Sequence, residues 1–255
     1  MKHILPLVLM IMSTQIAFAQ FAKTIGSDRP GIAIGAYAVG KNVFQVQTGF
    51  NYNEMEQANI FGSNTWIFNS VFRYGIIEHL EVNGVIDFRA DETLTVTGTE
   101  NQFGVSNTQI GLRYNLLEGK GAIPAIGLQG RLLLKAQSED YRRENLGTSF
   151  ILATGNNITD WLSLTTNWGL EWSGNDGDPI SIYVINTSFS ITDKWGTFIE
   201  VFGSFNSFDA NYDAGFSFLV NNDLQLDVSG GWQGQNEFID FFVDFGLSCR
   251  WHNRE

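Results

Sequence analysis

No stretch of this chain reaches the roughly 20 consecutive apolar residues that a membrane-crossing helix requires. Cysteine is nearly absent: the single Cys249 excludes an internal disulfide framework. Basic residues are also short, 15 against 27 acidic, for a formal charge of −12. That balance excludes the basic footprint of a nucleic-acid partner. Four prolines occur, and of these only Pro124 touches a patterned strand, at its start, where proline is tolerated. Of three histidines, His3 lies in a leader segment, leaving His79 at a turn and His252 near the end. A Ser-His-acid or His-metal site needs a histidine held by neighbours in a cleft, so neither an enzyme nor a cofactor or metal is expected. Gly230-Gly231 has no Lys-Ser/Thr context for phosphate, and Asn175–Asp178 lacks the spacing of a calcium loop.

What is present is alternation. In Asn42-Val-Phe-Gln-Val-Gln-Thr-Gly-Phe-Asn-Tyr52, Phe44, Val46, Phe50 and Tyr52 share one face, while Gln45, Gln47, Gly49 and Asn51 share the other. A period of two sustained over ten residues predicts a strand long enough to cross a bilayer at a tilt. The pattern recurs over 42–53, 64–75, 79–90, 105–116, 123–136, 146–156, 160–172, 180–191, 194–206, 210–220, 222–232 and 237–251. Twelve such strands predict an all-β fold, a transmembrane antiparallel up-and-down barrel. Mean hydropathy near zero suits it, since every second residue faces a polar interior.

The ends of the chain add a location. Lys2, the apolar run Ile4–Met12 and Ala17-Phe-Ala19 form a secretory leader over 1–19, and its removal leaves a charge of −13. Residues 20–41 form a periplasmic arm or small plug, 42–251 the outer-membrane barrel, and 252–255 a tail. Outer-membrane lipid and the barrel-assembly machinery are the expected partners, beside a small-molecule solute. Long polar loops are expected at Asn53–Ser63, Asp91–Gly104 and Lys135–Gly147, with tight turns at the other end. Tyr52, Trp66, Trp172, Tyr183, Tyr212 and Trp232 fall near one rim, and Tyr74, Tyr114, Trp161, Trp195 and Trp251 near the other, with Trp168 an exception in mid-strand.

On the polar phase, strands two to five place Arg73, Arg89, Arg113, Arg131 and Lys135, with Glu81 and Asp87 among them. Strands seven to twelve place Glu171, Glu200, Asp213, Asp227, Asp240 and Asp244. These are the candidate pore-lining residues, a basic wall facing an acidic one, able to orient polar solutes. Arg73 and Glu81 flank a tight turn and can pair across it. Phe198 and Phe202 share the phase of Glu200, as does Leu219; a bulge that reverses strand nine is the favoured explanation, an apolar patch in the bore the other.

Gly26-Ser-Asp-Arg-Pro-Gly31, then Gly40-Lys-Asn-Val-Phe-Gln-Val-Gln-Thr-Gly-Phe-Asn-Tyr52 and Arg73-Tyr-Gly-Ile-Ile-Glu-His-Leu-Glu81, carry a resemblance. They resemble the outer-membrane barrel family labelled "putative MetA-pathway of phenol degradation", whose members open with a Thr/Ser-Asp-Arg-Pro motif. Here Ser27, Asp28, Arg29 and Pro30 match it, while Gly31 and Gln47 stand where that family usually has acids. The resemblance implies a pore or transporter-like barrel. Function is therefore expected to be passive diffusion of small solutes, aromatic or other small organic compounds among them. The alternative is a plugged structural or surface-interaction barrel without transport.

Overall fold

The computed structural model describes residues 22–57, 61–175, 177–233 and 239–252; the leader expected over 1–19 lies outside them. Twelve strands follow in order: β1 (Phe44–Gln57), β2 (Phe61–Ile77), β3 (Leu80–Thr95), β4 (Gly98–Leu117), β5 (Ala125–Leu133), β6 (Gly147–Asn157), β7 (Leu162–Trp172), β8 (Ile180–Ser190), β9 (Trp195–Ser204), β10 (Asn211–Asn221), β11 (Leu224–Trp232) and β12 (Ile239–Trp251). Each pairs antiparallel with its sequence neighbours, and β12 returns to β1 from Phe44↔Trp251 to Glu56↔Ile239. Closure leaves no unpaired sheet edge, which hydrocarbon would not tolerate.

The barrel is inside out relative to a protein in water. Its largest fully buried side chains include Arg73, Arg113, Gln45, Gln47, Gln129, Glu81 and Glu200. Phe50, Phe68, Ile110, Leu128, Phe216 and Phe245 are exposed on the outside. Charged residues are almost never fully buried unless paired, and a soluble barrel would hide its phenylalanines. An apolar belt on the outside and an ionic interior make this a transmembrane barrel.

Connections differ at the two ends. The end holding the β2–β3, β8–β9 and β10–β11 links has tight turns; the other end holds the larger excursions. Two of the expected polar loops are in fact hairpin extensions. Pairing runs to Gln57↔Phe61 between β1 and β2 and to Thr95↔Gly98 between β3 and β4. In the second hairpin the reason is local: Thr93 and Thr95 are β-branched, and such residues continue a ladder readily. Trp168 ceases to be an exception, because it pairs with Tyr183 across β7–β8 and stacks on Phe205 at 5.7 Å.

Residues 134–146, at the loop end after β5, fold back against the hairpin of β3 and β4. The Ser138 amide donates to the Val105 carbonyl, and the Val105 amide donates to Ser138 Oγ at 2.9 Å. The Tyr141 hydroxyl donates to Asp91 Oδ2 at 2.9 Å. Lys135 belongs to this excursion and not to the barrel wall, a correction to its expected placement: β5 ends at Leu133, and the ammonium donates to the Glu144 carbonyl.

The expected bulge in β9 does not exist. Its register is unbroken against both β8 and β10, so Phe198 and Phe202 point inward with Glu200 between them. They are tolerated inside because they have something apolar to pack on. Phe202 clusters with Val184 and Phe242 against Ala33, and Phe198 lies against Gly31.

Candidate functional site

What these interior residues meet is the chain's own amino-terminal arm, residues 22–43, which enters the lumen without forming a strand. Such a segment brings backbone N–H and C=O groups into a space where they must find partners. The wall side chains supply them. Asn167 brackets Ile34, accepting from its amide at 2.7 Å and donating to its carbonyl at 2.9 Å. Gln45 donates to the Gly26 carbonyl, Gln225 to that of Arg29 and Asn115 to that of Ala36. Near the turn end, Arg250 donates to the carbonyls of Ala22, Lys23 and Thr24.

Carboxylates of the barrel also accept from arm amides, Glu78 from Lys41 among them. Glu200 Oε1 accepts from Ile32 at 2.7 Å and Oε2 from Ala33 at 2.9 Å. Successive amides converge on one anion because Gly31, at φ 92°, turns the chain into the left-handed region, making a small backbone nest. A side chain there would meet the Phe198 ring, which accounts for glycine at this position. Glu81 accepts from the Val39 amide at 2.9 Å.

Asp28 and Arg29 carry the charge of the arm into the charged walls. Asp28 receives Arg113 Nη2 at 2.7 Å and Nη1 at 3.0 Å, with Arg73 Nη1 at 3.3 Å. Burial alone would raise the Asp28 carboxyl, but Arg113 and Arg73 outweigh it and hold the group well below the usual carboxylate range. Arg29 donates to Asp244 at 2.6 Å and to Asp227 at 3.1 Å. Its guanidinium lies over Gly49 and Gly246, which face each other across β1 and β12; a Cβ on either would collide with it.

The remaining candidates fall into place around this core. Arg73 and Glu81 do meet across their turn, at 2.8 Å. Arg131 donates to Asn83 and Gln109, Asp87 accepts from Asn107, and Arg89 pairs with Asp91. Glu171 sits opposite Ser149, and Asp213 opposite Glu200. Asp240 lies on the inward phase of β12, where its Oδ1 has no hydrogen-bond partner. Ser27 Oγ lies 2.7 Å from Ser248 Oγ, and Pro30 follows Arg29 through a cis peptide. The charges expected to line a free bore are thus largely engaged: Arg73, Arg113, Asp227, Asp244 and Glu200 all bind the arm.

Gln45, Asn115, Asn167, Gln225 and Arg250 were not among the sequence candidates. Their signal was available: amide and guanidinium side chains on the inward phase, beside an arm with no strand to complete its backbone bonds.

The arm also divides the interior. A cavity of about 250 Å³ on the turn side is lined by Ser27–Pro30, Thr165, Ser188, Thr197 and Ser217. Another of about 280 Å³ on the loop side is lined by Gly31, Ile32, Asn51, Asn53, Asp213 and Phe242. Residues 27–32 lie between them. Among the described residues, no group of three or more His, Cys, Asp or Glu is placed to hold a metal ion.

Several solved structures share the fold. The COG4313 outer-membrane channel from Pseudomonas putida F1 is 11% identical, with a TM-score of 0.64, covering 85% of this chain and 98% of that one. The KdgM porin in complex with disordered oligogalacturonate is 10% identical, with a TM-score of 0.54, covering 81% and 99%. The β-domain of the Bordetella autotransporter BrkA is 11% identical, also at 0.54, covering 82% and 100%. No curated protein sequence matches the chain. The profile of one family spans nearly the whole barrel and the Ser-Asp-Arg-Pro arm, residues 27–251, and the chain belongs to that family, described as "Putative MetA-pathway of phenol degradation".

Proposed function

We propose that this protein is an outer-membrane channel for small solutes, in which the amino-terminal arm sets whether the lumen conducts. The supporting observation is the arm itself, which lies between two chambers and is held there by hydrogen bonds, ion pairs and the packing of Ala33 and Ala36 on apolar wall residues. A permanently sealed barrel has no need of chambers on both sides of its plug. The solute crosses by diffusion, and Arg73, Arg113, Asp227 and Asp244 become the charged lining when the arm shifts. In this reading the turn end faces the periplasm and the long hairpins face outward.

The test is solute flux into vesicles. Breaking one partner of a buried ion pair costs about 3–5 kcal/mol, so Asp28→Asn combined with Arg29→Gln weakens arm docking severely. Vesicles holding the double variant are expected to admit small sugars and amino acids faster than wild type. Equal flux from the two proteins would contradict the proposal and favour a structural barrel.

A further inference from the structure

The loop-side chamber has an unbalanced chemistry. Asp213 is only 5% exposed and lines the chamber, yet apart from Glu200 its carboxylate oxygens have no hydrogen-bond partner. It stands directly across the β9–β10 pair from Glu200, whose two oxygens are already taken by the Ile32 and Ala33 amides and Asn186. Like charges in direct register repel, and burial strengthens the effect. Two further unpaired atoms on the chamber's lining residues are also acceptors: Asn53 Oδ1 and Asp87 Oδ1. Basic groups nearby are committed elsewhere, Arg29 to Asp244 and Asp227, and Arg143 to Asn107.

Beside this acceptor cluster is an aromatic face. Phe242 and Asp213 flank Gly231, where an added Cβ would run into the Phe242 ring on one side and Asp213 Cβ on the other. Ile67 and Ile32 add apolar surface to the same chamber. An acidic pair with no basic partner, next to a phenyl ring and aliphatic side chains, calls for a cationic head on an apolar body. The arm already shows what this wall accepts, since Arg29 places a guanidinium on Asp244, a residue of the same chamber.

We infer that the loop-side chamber is a binding site for a small organic cation, an ammonium or guanidinium carried on an apolar or aromatic body. Asp213 takes the charged head, Phe242 and Ile67 the body, and Asn53 Oδ1 accepts a further N–H of the head. The chamber's volume of about 280 Å³, several times the roughly 30 Å³ share of one water, admits such a molecule. The inference deepens the channel reading by naming a solute class, and it rests on that reading for the solute's route.

The test is calorimetric titration of the full barrel in detergent micelles with three probes of one shape: 2-phenylethylammonium, 2-phenylethanol and 3-phenylpropionate. The ammonium is expected to bind, with the alcohol and the acid much weaker. Asp213→Asn, nearly isosteric, is expected to weaken the ammonium about tenfold or more. Phe242→Leu, which keeps an apolar side chain, is expected to weaken it about threefold. No ammonium binding, equal affinity in Asp213→Asn, or equal binding of the acid would overturn the site. Micelle binding does not depend on an open lumen. Flux without ammonium binding therefore defeats this inference and leaves the channel reading intact, whereas binding without flux does the reverse.

Discussion

Asp28 and Arg29 are consecutive in the chain, yet each is bound by wall charges of the opposite sign in a different sector of the barrel. Asp28 meets Arg73 of β2 and Arg113 of β4, while Arg29 meets Asp227 of β11 and Asp244 of β12. The two sectors flank β1, so one dipeptide fixes the rotation and depth of the arm together. Swapping the order of the two residues would set like charge against like.

Acid should leave the Asp28 half of this latch in place longer than carboxylates usually allow. Asp28 is more acidic when docked than when free, so its contribution is complete above the ordinary carboxylate pKa of about 3.9 and fades only as pH falls through its lower docked value. The Gly35 amide donates to Asp28 Oδ1 at 2.8 Å, so it reports docking directly. Hydrogen exchange at about pH 4 should find Gly35 still protected. Loss of that protection between about pH 6 and 4.5 would show that Asp28 is not held by the two arginines.

The glycine pair under Arg29 gives a steric handle. Gly246→Val has no room beside the guanidinium and should release the arm without disturbing β12, whose backbone pairing needs no glycine there. Limited proteolysis should then trim the arm while the barrel survives. Gly155→Ala is the control, because nothing lies within 4 Å of the added Cβ, and it should resemble wild type. An arm equally resistant in both variants would place Arg29 elsewhere.

The outward direction of the phenylalanines can be tested through stability. Phe245 lies midway along β12 and is exposed on the barrel exterior. Phe245→Arg should cost about 2–4 kcal/mol when the barrel unfolds from a bilayer, while Trp251→Arg, near the rim, should cost only about 0–1 kcal/mol. Equal costs at the two depths would argue against a lipid-facing belt.

Much of this architecture was legible beforehand, because a period of two states its own facing. Phe50 and Gln47, or Leu112 and Arg113, announce outside and inside by alternation alone. The hairpin extensions past Asn53 and Asp91 are hidden because polar residues read as loop, whereas Thr93 and Thr95 pair well in water. Phe198 and Phe202 were misjudged for a related reason. An apolar residue on the polar phase looks like a fault in the strand until the arm that packs on it is known. The arm's depth is hidden because many of its bonds run to residues 40 to more than 200 positions away, as from Arg29 to Asn69 and from Ala22 to Arg250.

Ser27 and Ser248 offer the most direct measurement of the arm's role. Their hydroxyl oxygens lie 2.7 Å apart, close enough for a disulfide in the variant Ser27→Cys, Ser248→Cys, with Cys249→Ser to remove the native thiol. Conductance in planar bilayers is to be recorded for the oxidised protein and again after reduction. Conductance is expected to be low and steady while the arm is tethered, rising to the wild-type level once the disulfide is cut. Identical conductance before and after reduction would contradict it.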